Sequence, residues 1–215
     1  MADQQHLEML KQGSISWNKW RGAHQNVRPN LSSADLKAMN LRGTDLRGTS
    51  LVSAILDRAN LSYADLRGAN LSFATLIDVE LRNATISYAN LTHADCSDAN
   101  LQGVDLRESI LRGAVFNNAV LRGVDFRGAD LRNVDFSNAD LQGSDLSYAD
   151  LRDADFTNAH LVSVNFINVT IEGANLTNAR VGHTIFSGVD FRAVKGLRTL
   201  KQEGPSSIGN NVILP

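Results

Sequence analysis

A chain of 215 residues with 21 Lys+Arg, 23 Asp+Glu and a net charge of −2 does not carry the uniformly basic surface of a nucleic-acid groove. No apolar run approaches the ~20 residues that a spanning helix needs, and the single Cys96 excludes an internal disulfide framework. The opening Met1-Ala2-Asp3-Gln4-Gln5-His6 lacks the basic and apolar segments of a signal peptide, so a cytoplasmic location is expected.

Residues 1–30 form the first expected unit, a helical cap. Asp3 is placed to cap a helix carrying Leu7 and Leu10, and Gly13 to end it. A second short helix follows, with Trp17 and Trp20 three apart and therefore on one face. An element with one apolar and one polar face suits the covering of an open repeat end, against the alternative of a ligand-stacking pair.

From Leu31 to Phe191 every fifth residue is apolar, giving 33 positions filled by 22 Leu, 7 Phe, 2 Ile, Cys96 and Val181. A small residue, mostly Ala or Val, stands two before each centre, and Asp or Asn stands between. A period of five fits neither a helix nor a simple strand, and tandem repetition is the better key: stacked units share one core. Centre and small residue point inward; the other three suit turns and solvent.

Units such as Ala-Asp-Leu-Arg-Gly-Ala-Asn-Leu-Ser (64–72) and Val-Asp-Phe-Arg-Gly-Ala-Asp-Leu-Arg (124–132) resemble the pentapeptide repeat family. That resemblance implies an all-β solenoid, a right-handed quadrilateral β-helix of about eight coils over 31–193, with a short helical cap before it and a short C-terminal cap over 194–215. Residues twenty apart then stack in columns. Leu31, Leu66, Leu101, Phe116, Leu131, Phe136, Phe156 and Phe186 are core centres, with Phe116, Phe136 and Phe156 in one column and Phe126, Phe166 and Phe186 in another. Asn118, Asn138, Asn158 and Asn178 are expected to form an amide ladder.

Beyond Phe191 the rhythm stops. The segment from Gly196 to Gly209 is similar to one that joins the repeat to a downstream domain in larger bacterial proteins, so the tail reads as a cap or as the stub of such a link. An end-to-end dimer through this tail, or a monomer, is expected.

No catalytic constellation stands out. His6, His24, His93, His160 and His183 have no ligand spacing with carboxylates or Cys96, and no phosphate loop or nucleophile motif occurs. The expectation is a protein without enzymatic activity, cofactor or metal. What remains is the outer surface. Arg112, Arg132 and Arg152 form one column, and Arg47, Arg67, Arg107 and Arg127 another; both are candidate interaction surfaces. Asp125, Asp130, Asp135, Asp140, Asp145, Asp150 and Asp155 form an acidic collar. The reading is a scaffold or adaptor for an unknown protein partner, with no direct nucleic-acid binding and no membrane span. The alternative, suggested by the collar and by acidic relatives that resemble duplex DNA, is a mimic acting on a DNA-binding enzyme such as DNA gyrase, protecting it from quinolones or toxins. Charge weighs against it, since residues 31–193 hold 14 basic against 20 acidic side chains.

Overall fold

The computed structural model describes residues 1–212; Ile213, Leu214 and Pro215, the end of the expected tail, lie outside the described residues. Helix α1 (Gln4–Lys11) starts where the Asp3 carboxylate accepts the backbone N–H groups of Gln5 (2.9 Å) and His6 (3.1 Å), which satisfies two donors a helix start leaves free. Gly13, at φ 97°, turns the chain into α2 (Ser14–Ala23), a conformation that only a residue without Cβ adopts freely. Helix α2 turns Trp17 and Arg21 inward, both buried. The Trp17 indole N–H donates to the Asp45 carbonyl at 2.7 Å, and the Asn18 amide to that of Gly43 at 2.9 Å.

From Asn30 onward the chain is built in tiers of twenty residues. Asn30 bridges Ser50, Asp35 bridges Ile55, and the parallel series continues to Asp155 with Asn175. The unit at Leu66 shows where its backbone donors go. Leu66 N–H donates to Thr85 in the next tier (2.7 Å), Gly68 to Ser87 (3.1 Å), and Asn70 back to Thr49 (2.9 Å). Ala69 N–H closes the turn on the Leu66 carbonyl (2.9 Å), and Arg67 N–H donates to Asp65 Oδ1 (3.2 Å). All five donors are satisfied, as buried backbone requires. The recurring Asp or Asn before each centre is thus a turn acceptor as well as an outer side chain.

This arrangement corrects the expected fold class. The all-β, closed quadrilateral β-helix is not what forms. Over 30–159 each unit pairs through a single residue, and the remaining residues make turns. The physical reason lies at the corners: the residue two after each centre adopts positive φ, whether it is Gly68 (64°), Tyr63 (61°) or Asn118 (58°), and a left-handed residue in every five keeps any extended stretch to three residues or fewer. Strands appear only near the C-terminal end: β1 (His160–Val162), β2 (Asn165–Ile167), β3 (Arg180–Gly182), β4 (Ile185–Ser187), β5 (Lys201–Gln202) and β6 (Ser207–Ile208). They form two parallel three-stranded sheets, ordered β1-β3-β5 and β2-β4-β6. A single 3-10 turn (Leu197–Thr199) precedes β5.

The core is the stack of centres. Leu31, Leu66, Leu101, Phe116, Leu131, Phe136 and Phe156 have no exposed surface, while Phe186 keeps 8%. Phe116, Phe136 and Phe156 stack with ring centroids 5.6 and 5.2 Å apart, and Phe166 stacks on Phe186 at 5.2 Å. Leu146 separates Phe126 from Phe166 in that column. Offset stacks of this kind add about 0.5–1.5 kcal/mol each to the burial of the rings. Cys96 fills a place in the Phe116 column, wholly buried, and its thiol pKa is pushed up by that burial.

Candidate interaction surface

The arginine columns face outward, but their charge is committed to the protein itself. An arginine one after a centre reaches back to the carboxylate one before it. Arg47 bonds Asp45 through Nε (2.8 Å) and Nη2 (2.7 Å). The same fork joins Arg67 to Asp65, Arg107 to Asp105, Arg127 to Asp125, Arg132 to Asp130 and Arg152 to Asp150. Links also run between tiers: Arg112 Nε lies 2.5 Å from Asp130, and Arg132 Nε 3.5 Å from Asp150. The Arg132 guanidinium, followed by that of Arg112, holds the Asp130 carboxyl down at about 2 against the opposing effect of burial. Asp45, Asp105 and Asp150 are lowered in the same direction, each chiefly by the arginine of its own unit. Arg42, outside these pairs, lies over the Tyr63 ring at 4.4 Å.

The acidic collar is neutralised by the same contacts. Asp125, Asp130 and Asp150 carry the forks above; Asp140 takes Arg122 (2.5 Å) and lies 3.4 Å from His160; Asp145 lies 3.9 Å from Arg127 and accepts the Ser147 hydroxyl. Asp135 and Asp155 instead accept the backbone N–H of Ser137 (2.8 Å) and Thr157 (2.9 Å). In the amide column, Asn158 donates to Asn138 at 3.2 Å. Trp17 is fully buried, and Trp20 packs beside it at 5.2 Å with His24 stacked on its other side at 5.1 Å.

Several exposed groups were not singled out by sequence reasoning. Tyr63, Phe73, Tyr88 and Tyr148 are 53%, 58%, 69% and 65% exposed, and all four occupy positive-φ corners. Phe73 stacks on His93 of the next tier at 5.3 Å. The signal was available: a bulky aromatic at the turn position, where most units have Gly, Asn or Ser, departs from the repeat. A second group joins the tiers to the end of the chain, where His160 lies 3.4 Å from both Asp140 and Glu203, and Arg180 pairs with Glu203. Among the described residues no cluster of three or more His, Cys, Asp or Glu side chains is arranged to hold a metal ion, and no helix is long and apolar enough to cross a membrane.

Tandem units, inward Leu and Phe, and tier-to-tier bonding at a fixed spacing of twenty residues define a structural repeat protein. The chain belongs to the pentapeptide repeat family: the model for pentapeptide repeats matches in eight copies, over residues 30–68, 64–100, 99–138, 135–173 and 164–192. Membership places it in a non-catalytic structural class rather than among enzymes. Among solved structures it is similar in fold to full-length QnrB1, a plasmid-mediated fluoroquinolone resistance protein, at 20% identity over 73% of this chain and 91% of that one, with a TM-score of 0.61. HetL, a pentapeptide repeat protein involved in heterocyst differentiation regulation from the cyanobacterium Nostoc sp. strain PCC 7120, is 25% identical over 91% and 93% of the two chains, with a TM-score of 0.48. A pentapeptide repeat protein from the thylakoid lumen of Arabidopsis thaliana shares 40% identity over 46% of this chain and 69% of its own, with a TM-score of 0.37. No curated protein matches the chain.

Proposed function

We propose that this chain is a non-enzymatic scaffold that binds a protein partner through the face lying between Tyr88 and the stacked Phe73–His93 corner. The observation that carries this reading is the exposure of aromatic rings at left-handed backbone positions, Phe73 at φ 60° and Tyr88 at φ 60°. An L-residue in that region costs roughly 1–2 kcal/mol relative to the right-handed one, and a ring left mostly in water returns little burial to offset it. Exposed aromatics on a rigid frame are the side chains that dominate protein interfaces. Between the corners the surface is uncharged, with Asn70, Asn90 and Thr92, and Ile110 stands 43% exposed on the following tier. Asn90 Oδ1 accepts both the backbone N–H (3.0 Å) and the hydroxyl (2.6 Å) of Thr92, so these groups lose little further freedom on binding.

The arginine columns take second place in this reading, because a partner must compete with bidentate carboxylates already in position. The mimic of duplex DNA falls further behind, since five of the seven collar aspartates lie within 4.0 Å of an arginine or histidine. Residues 1–30 and 194–212 close the two ends of the repeat in the same reading.

The test is partner capture from a native extract by three forms: wild type, Phe73→Ser with Tyr88→Ser, and Arg112, Arg132 and Arg152→Gln. A protein retained by the wild type and the glutamine variant but lost by the serine variant is expected. Loss only in the glutamine variant would move the site to the arginine column. Gyrase supercoiling is expected to be unaffected by a large molar excess of the protein.

A further inference from the structure

We propose that the cleft between the end of α2 and the first tier binds a dianion of the phosphate class. This cleft of about 500 Å³ is lined by Arg21, Arg28 and Arg47 with the amides of Gln25 and Asn26, and no carboxylate lines it. Arg21 is only 5% exposed, and its position is fixed: Nη1 donates to the Val27 carbonyl at 2.7 Å and Nη2 to that of Arg47 at 2.9 Å. Its Nε has no hydrogen-bond partner, being 4.0 Å from Asp45 Oδ2. A buried guanidinium held by neutral carbonyls retains its full charge and leaves several N–H donors unused. Arg28 is exposed at the rim, and among the described residues it has no carboxylate within ion-pair distance.

Charge at this end is unbalanced toward the positive, whereas the repeat as a whole carries more acid than base. Arg21, Arg28, Arg47 and Arg67 meet only Asp45 and Asp65, with Arg47 bridging both carboxylates at 2.7 and 3.6 Å and Arg67 holding Asp65 at 2.6 Å. Four guanidiniums against two carboxylates leave two positive charges, which a phosphate dianion neutralises. Planar guanidinium forks also match the oxygens of a phosphoryl group better than a lysine would. Arg21 is tied through backbone carbonyls to the segments that carry Arg28 and Arg47, so the frame of the site is assembled before a ligand arrives.

Helix α2 carries Trp17 and Trp20 as well as Arg21, so intrinsic fluorescence reports on the site without a label. The full chain is titrated with inorganic phosphate, glycerol 3-phosphate, acetate and chloride at matched ionic strength, because unspecific screening tracks ionic strength alone. A saturable change with a phosphate ligand, a rise in melting temperature with its concentration, and at least tenfold weaker binding in Arg28→Ala are expected. Arg28 is exposed, so this variant is expected to melt with the wild type when phosphate is absent. Tighter binding of glycerol 3-phosphate assigns the site to esterified phosphate, and tighter binding of inorganic phosphate to the free ion. A response that follows ionic strength only, acetate binding as well as phosphate, or Arg28→Ala binding as tightly as the wild type would overturn the proposal.

Discussion

Residues 30–159 and 160–192 follow one register but solve their backbone bonding differently. In the first region each unit closes a turn, with the small residue three after the centre donating to the centre's carbonyl: 2.9 Å for Ala69 on Leu66 and 3.0 Å for Ala129 on Phe126. Valine at that place sits at the longer end, 3.2 Å for Val79 and 3.3 Å for Val124 and Val134. At Val164, Val169, Thr184 and Val189 that bond is not made, and β1 to β4 lie in these units. Branched side chains in the inner layer accompany this change without sufficing for it, since Thr49, Val104 and Val194 close the turn at 3.1 Å, although β-branched residues favour the extended form. The lesson is that a branched inner layer permits the strand without imposing it.

The most severe way to break the comparison is to put a charge in the core of the first region. Leu131→Asp, at a site with no exposed surface, buries a carboxylate without a partner, and is expected to cost more than the ~2–5 kcal/mol of a Leu→Ala truncation. Urea unfolding should show a large drop in midpoint; an unchanged midpoint would mean that Leu131 does not point inward.

Acid comes next in expected effect, and it weighs most on the first region, which holds the forks from Asp45 to Arg152 against the Asp190–Arg192 fork in the second. Asp130, lowered to about 2, stabilises the fold fully above the unfolded carboxyl value near ~4, and that contribution is lost as pH falls through about 2. Asp45, Asp105 and Asp150 act with the same sign. Melting temperature measured from pH 6 to pH 2 should therefore fall below about pH 4, and 1 M salt at neutral pH should reduce the same stabilisation. A melting temperature flat across that range would show that the forks contribute nothing.

The smallest effect sharpens the boundary between the regions. Val164→Ala with Val169→Ala narrows the inner layer, and restores the turn bonds at the cost of some buried surface. The net change should stay within about 2 kcal/mol, two Val→Ala truncations partly offset by two hydrogen bonds. Amide exchange at residues 164 and 169 is the readout, with slower exchange in the variant despite its smaller core. Exchange unchanged or faster would show that inner-layer width does not control the turn.

Much of this was legible in the residues. The inward centres declared themselves through an unbroken spacing from Leu31 to Phe191, and the columns at twenty are where bridges such as Asp105 with Asp125 occur. Strand content was not legible, because the corner residues are chemically diverse. Ser33, Arg58, Tyr88 and Asp153 all take positive φ, as Gly68 does, and nothing in their side chains announces it. The fate of the arginines was half visible: Asp45-Leu46-Arg47 and Asp125-Phe126-Arg127 place acid and base two apart on the same outer side, a spacing that already implies a fork. The cleft at Arg21 was hidden for a different reason. Its partners are carbonyls of Val27 and Arg47, and a backbone acceptor leaves no mark in composition.

Pairing at a fixed separation of twenty residues also makes length a quantised variable. Removing or adding one whole tier keeps every remaining side chain in its own column, so inner and outer rows stay aligned and each between-tier ion pair away from the junction is conserved. A change of five residues keeps every centre inward yet displaces each outer row by one position around the perimeter, so that Arg132 no longer stands beside Asp150. Variation in length can thus leave the interior intact while rewriting the surface, and natural or engineered size changes in this chain should be found in multiples of the tier wherever that surface is under selection.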